Sequence, residues 1–338
     1  MKKNRFVLIF IPWVALWLHS CSCRHEPKIP LDRIDVEVKI QRFDHDLFSI
    51  NTDSIETEVA RLHASYGAFF ELFCNRVIGI GLPEDSGFAD YLYSFINDNM
   101  VSETYRSVQN TYPDTKELDK ILTDAFKRFR YYFPDRFIPP IYGFVSGFNV
   151  SVVLADSMLG VGFDRYLGRQ CEYYPQLGIH KYLTYNMHLR KIPSDLIRAW
   201  GLGEFQFSDS VDNLLNNMIY EGKLVYFTKR LLPDEPDSLI LGFTPNQMKW
   251  CRNNESQMWT HLVEHKLLFN TEQFTINQFI GDAPFTQGFT QESPGKAAVW
   301  LGYRIVSKYM EKNKRCTLYD LMKEDNYQQI LTLSLYNP

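Results

Sequence analysis

The sequence predicts a predominantly helical α+β protein with a small β element. Most of the chain carries apolar residues at helical spacing, and strand character is confined to 36–43 and 138–156. No repeat with a period of roughly 20–50 residues and no low-complexity tract is visible.

Composition sets the outer limits. The 338 residues give room for one large or two small domains. Hydrophobic residues make up 45 % and charged residues 22 %, ordinary globular values. A net charge of −4 offers no basic excess, so nucleic acid is not an expected partner. The 20 Tyr and 25 Phe predict a core filled with rings and some adhesive surface.

The N-terminus reads as a targeting segment. Lys2, Lys3 and Arg5 precede an apolar run from Phe6 to Leu18, too short to span a bilayer. Leu18-His19-Ser20-Cys21 then has the pattern cut by lipoprotein signal peptidase, leaving Cys21 as the acylated N-terminus. Cys23 is the alternative, with Ser20 rather than an aliphatic residue three before it. The organisation expected is a signal peptide at 1–20, a polar tether at 21–33 and one domain at 34–338, held to a membrane of the cell envelope by its lipid. Cys74, Cys171, Cys251 and Cys316 are widely spaced and form no CxxC. Two disulfides are possible, and four small buried hydrophobes is the commoner outcome.

Val36 to Phe43 alternates apolar and polar residues and predicts a half-buried strand. Helical patterns follow at 47–74, 87–108 and 115–131, the last capped by Asp114 or Thr115. Ile141–Phe144 and Phe148–Ala155 predict strands around a Ser146-Gly147 turn. Asp156 closes that region, and Gly160 and Gly162 predict a structural turn, with a ligand loop as the lesser alternative. Ser194 is expected to cap a helix to about Leu202. One helix is expected across Pro245–Asn270, and a buried one across Pro294–Met310 with Ser293 as cap. Leu318–Met322 and Tyr327–Leu333 complete the chain.

The stretch Asn213–Phe227 carries the sharpest functional question. Leu214, Met218 and Val225 form an apolar stripe with Glu221 in its middle. A carboxylate so placed should be buried, and needs a partner or a raised pKa. Arg198 and Arg304 are the two candidate partners. Glu221, Asp156, Asp164, Arg198 and Arg304 are the candidate ligand-pocket residues.

The runs RFDHDLF at 42–48, ADSMLGVGFDRYLG at 155–168, MIYEGKLVYF at 218–227 and SPGKAAVWLGYRIVSKYM at 293–310 resemble the gliding-motility lipoprotein B family of Bacteroidetes. The resemblance covers about Ile34 to Pro338. It implies an envelope lipoprotein linked to gliding motility and type IX secretion, working by contact with envelope proteins, with no catalytic residues to carry over. Motility itself does not follow, because the family also occurs in species that do not glide.

The family is distantly similar to zinc peptidases, whose pattern is HExxH on one helix and a Glu before Gly on the next. This implies a degenerate zinc-peptidase-like fold. Glu221 would stand at the third-ligand position, but the preceding helix SDLIRAWGL has no His. His261-Leu262-Val263-Glu264-His265 reads as the inverted motif HxxEH. An ordinary polar helix face is the plainer reading, so His261, Glu264 and His265 remain the alternative metal ligands. No cofactor and no enzyme activity are expected. A divergent metallopeptidase and a ligand-binding lipoprotein are the alternatives.

Overall fold

The computed structural model describes residues 29–155, 157–207 and 211–338. The leader expected at 1–20, Cys21, Cys23 and Asp156 lie outside the described residues. No helix among the described residues is long and apolar enough to cross a membrane. The fold is predominantly helical α+β, with one four-stranded sheet.

The chain opens with a 3-10 turn at Leu31–Arg33, strand β1 (Ile40–Arg42) and helix α1 (Phe43–Phe48). The alternation at 36–43 does place Val38 and Ile40 inside, but only the last three residues before Phe43 join the sheet. Side chains of the later helix at 116–132 take the place of a neighbouring strand. Val38 N–H donates to Thr123 Oγ1, which donates back to Val38 O, and Ile40 N–H donates to Asp119 Oδ1. At the end of β1 the Arg42 guanidinium forks onto buried Asp44 at 2.8 and 2.7 Å and reaches Tyr112 O.

Helices α2 (Ile55–Tyr66), α3 (Ala68–Leu72) and α4 (Phe88–Ile96) close over an aromatic sub-core. Phe43 sits at its centre, edge-on to Phe69 and Phe73 with ring centroids 5.3 and 4.9 Å away. The single helix expected at 87–108 is two, because Asp98 caps α5 (Asn99–Thr111) by accepting from Val101 N–H. Helix α6 (Lys116–Tyr132) follows as expected.

Strands β2 (Ile141–Phe144), β3 (Val152–Ala155) and β4 (Met158–Gly162) complete the sheet in the order β1-β2-β4-β3. β2 is parallel to β1 and β4, and β3 is antiparallel to β4. Gly160 and Gly162 are therefore not a turn but lie inside a buried strand. A Cβ on Gly160 would stand 2.9 Å from the Phe144 ring, and one on Gly162 2.3 Å from Val150 O. Glycine here makes room for rings and backbone.

Short helices α7 (Tyr173–Gln176) and α8 (Lys181–Thr184) lead to α9 (Ile192–Glu204) and α10 (Leu214–Leu231). Ser194 lies inside α9 rather than capping it, and its hydroxyl donates to Lys191 O. Asn213 caps α10. Next come α11 (Asp237–Leu241), α12 (Pro245–Asn253), α13 (Glu255–Glu264) and α14 (Gln273–Ile280). The one helix expected at 245–270 thus breaks at Asn254, which caps α12, and ends before residue 270.

Helix α15 (Ala297–Lys312) starts later than Ser293 and Pro294 suggest. Lys296, in a left-handed conformation at φ 50°, precedes it. Thr286 ties this entry together: its N–H donates to Ser293 Oγ, its hydroxyl to Pro294 O, and it accepts from Ala297 N–H. Helices α16 (Leu318–Lys323) and α17 (Tyr327–Ser334) end the chain.

The main core forms around α10 and α15. They cross at Gly222 and Gly302, where a Cβ on Gly302 would fall 1.7 Å from Met218 O and one on Gly222 2.2 Å from the Gly302 carbonyl carbon. Backbone meets backbone, and only glycine permits it. Cys74, Cys171, Cys251 and Cys316 are all free thiols, with Cys74 and Cys251 buried.

Candidate functional site

A cleft of about 430 Å³ opens between the turn that follows β4, helices α9, α10 and α11, and the N-terminal end of α15. Apolar side chains such as Val225, Ile240, Ile280 and Val299 form part of its wall. A second hollow of about 340 Å³ adjoins it, sharing Leu183, Asn186, Gly242, Asp282 and Lys296.

Three ion pairs set the chemistry of the cleft. Arg198 Nη2 donates to Glu221 Oε2 at 2.6 Å. Lys191 Nζ lies 3.1 Å from Asp195 Oδ1, and Lys296 Nζ lies 2.8 Å from Asp282 Oδ1. Burial around Arg198 disfavours its charge, but Glu221 outweighs this and holds the pKa above its ordinary value. Lys191 is buried, and that burial pulls its pKa down against the opposing pull of Asp195. Its remaining donors reach Ser194 Oγ and Ile240 O, both at 3.1 Å, so the buried ammonium is fully bonded. Tyr166 donates to Asp195 Oδ2 at 2.9 Å and fixes that carboxylate from the other side. Asp282 is raised by burial and lowered more by Lys296, for a net depression.

The structure answers the choice between Arg198 and Arg304. Arg198 takes Glu221, whereas Arg304 Nε donates to Glu255 Oε1 at 3.0 Å, beside the Tyr336 hydroxyl that donates to the same oxygen. Glu221 is not buried as its place on the stripe suggests. Its side chain is 18 % exposed and lines the cleft, on a side of α10 where Asn217, one turn earlier, is also only half-buried. Asp164 is elsewhere, fully buried beneath the loop after β2. One of its oxygens accepts from Ser146 N–H at 2.9 Å and Phe148 N–H at 2.7 Å. That holds Gly147 and Phe148 at positive φ, a structural task. Burial pushes the Asp164 carboxyl up, and those donors pull it back only in part.

His261 and His265 stand close, with ring centroids 4.4 Å apart, as one helical turn dictates. His261 packs against Phe289, and burial with the neighbouring His265 lowers its pKa. Glu264 and His265 are exposed at the end of α13. Among the described residues, no group of three His, Cys, Asp or Glu side chains is arranged to hold a metal ion.

Sequence reasoning missed Arg165, Lys191, Asp195, Asp282 and Lys296 as site residues. The Lys191–Asp195 spacing of one helical turn was a usable signal. The others come from segments far apart in the chain. Arg165 is anchored on the cleft wall by Ser151 Oγ at 3.1 Å and Phe148 O at 3.2 Å.

No curated protein and no solved structure matches the chain. Residues 22–338 match a family model described as gliding motility protein GldB. With nearly the whole sequence matched, the chain belongs to the gliding motility protein GldB family.

Proposed function

We propose that this chain is a cell-envelope lipoprotein, anchored through Cys21, that acts without catalysis by protein–protein contact in an assembly associated with gliding motility and type IX secretion. Membership of the family supports the envelope and motility part. The non-catalytic part is carried by one observation: each carboxylate of the cleft is already engaged by a cation, Asp195 by Lys191, Glu221 by Arg198 and Asp282 by Lys296. At least one oxygen of each is committed to a neighbouring cation, which supports a role in fixing the cleft walls rather than in taking a proton from a substrate. In a deletion strain, a Glu221→Gln chain should restore type IX secretion and co-purify with envelope secretion components. Loss of secretion with normal abundance and normal co-purification would point to chemistry at Glu221 instead. Metal analysis of untagged protein should return far less than one zinc per chain. A full equivalent that disappears in His261→Ala revives the metallopeptidase alternative.

A second reading is favoured by the exposure of Glu221 to the cleft. Arg165, Arg169 and Lys181 also line the two hollows, and among the described residues no carboxylate pairs with them. The joined cleft therefore carries an excess of positive charge within an acidic chain. It suits a small ligand bearing an oxyanion, with the apolar wall taking the rest.

A further inference from the structure

The two ends of α15 differ in a way the cleft does not explain. At the C-terminal end a groove of about 550 Å³ is lined by Tyr131, Tyr132, Tyr226, Tyr319, Arg230 and Lys314. Among the described residues, no Asp or Glu lines it. Tyr131 is 49 % exposed and Tyr319 37 %, a large outlay of ring surface for a side chain that usually hides its body. The chain from 312 to 315 runs along this end as Lys-Asn-Lys-Arg, with all three cations exposed. Lys323 adds its ammonium 4.4 Å over the Tyr319 ring.

Ile29, the first described residue, also lines this groove. From Cys21 to Ile29 a fully extended chain reaches roughly 28 Å. An acyl group on Cys21 thus keeps the groove within about one protein radius of the bilayer surface.

We propose that the groove is the face this lipoprotein lays against its membrane, with tyrosine rings at headgroup depth and Lys312, Lys314 and Arg315 on anionic lipid. The inference rests on the anchor at Cys21. Amphipathic rings beside basic side chains are what a membrane interface selects, and basic residues near an anionic surface each add attraction. α15 has 16 residues and so is about 24 Å long, with the cleft at its other end. That geometry turns the charged cleft away from the lipid and toward envelope partners.

Hydroxyl-radical footprinting of the mature acylated protein tests this, on vesicles of phosphatidylcholine with phosphatidylglycerol and in detergent. Mass spectrometry of the N-terminus and vesicle sedimentation report the anchor separately. Tyr131 and Tyr319 should be labelled several-fold more slowly on vesicles, while Tyr182 and Tyr185 beside the cleft should keep their rates. Replacing Lys312, Lys314 and Arg315 by Glu should restore fast labelling of Tyr131 and Tyr319 in a chain that still sediments. An acylated, sedimenting protein with unprotected Tyr131 and Tyr319, or with protection at Tyr182 and Tyr185 instead, overturns the face alone. A chain without acyl groups that stays in solution overturns the anchor and the face together.

Discussion

Glu221 and Gly222 are neighbours in sequence and opposites in setting. Gly222 meets the backbone of α15 so closely that no side chain fits. Glu221 opens onto a cleft and holds Arg198. One turn of α10 thus divides a rigid crossing from a charged surface. The crossing specifies the fold by exclusion of volume, whereas the cleft is built from pairs that water can partly reach. The two should respond to substitution on different scales.

The largest effect belongs to the crossing. Gly302→Ala places a carbon 1.7 Å from Met218 O, and backbone cannot rotate away as a side chain would. We expect a loss of roughly 3 kcal/mol or more, read as a fall in denaturant midpoint or failure to accumulate. A Gly302→Ala chain as stable as the wild type would mean that the helices do not touch there.

Lys223 lies on the other side of Gly222 and sharpens the contrast. It is buried, its ammonium donating to Glu324 O at 2.6 Å and Met322 O at 3.3 Å. Burial lowers its pKa to about 8 from 10.5, with Glu324 and Asp325 opposing. Between those values the unfolded chain holds the extra proton, so stability rises with pH in that window. Below about 8 the folded state carries the whole cost of a buried charge. Measured against Lys223→Met, the wild type should gain up to roughly 3 kcal/mol between pH 8 and 10.5. A flat difference across that range would show the ammonium to be hydrated.

The Arg198–Glu221 pair should respond more weakly. Its side chains are 37 % and 18 % exposed, so solvent screens part of the attraction. Glu221→Gln should lower stability by ~1 kcal/mol or less, and added salt should shrink the difference. A loss comparable to that of Gly302→Ala would restore the fully buried carboxylate expected from the stripe.

These contrasts also mark what the sequence made legible. The α10 stripe, the burial of α15 and strand β2 followed from periodicity, because tertiary packing reinforced local preference there. Gly160 and Gly162 misled, since glycine marks both turns and close approach, and the rings of Phe144 and Phe69 that require it come from elsewhere in the chain. The breaks at Asp98 and Asn254 were hidden because apolar spacing continues through them. Arg198 could be named as a partner of Glu221, but not chosen over Arg304, because helix packing decides which face meets which. The remaining cleft charges were illegible for the same reason: 165, 191, 282 and 296 meet only after folding.

The smallest expected change in stability carries the most information about the cleft. Arg169 and Lys181 are exposed; Arg169 lies 5.8 Å over the Tyr185 ring, and neither has a carboxylate partner among the described residues. Surface charges of this kind contribute little to folding, so Arg169→Glu with Lys181→Glu should leave stability within about 0.5 kcal/mol. If the cleft holds an oxyanion, the same pair should matter to binding, because charge focused by a concave wall acts on a ligand more than on the fold. Calorimetric titration with inorganic phosphate and with succinate separates a phosphate-bearing from a carboxylate-bearing ligand. The wild type should bind one of them, more weakly as salt rises, and the double variant should lose that binding. Equal affinity in both proteins would place the anion elsewhere. No binding of either probe would leave the cleft as scaffold, with its ion pairs serving only to hold α9, α10 and the start of α15 in register.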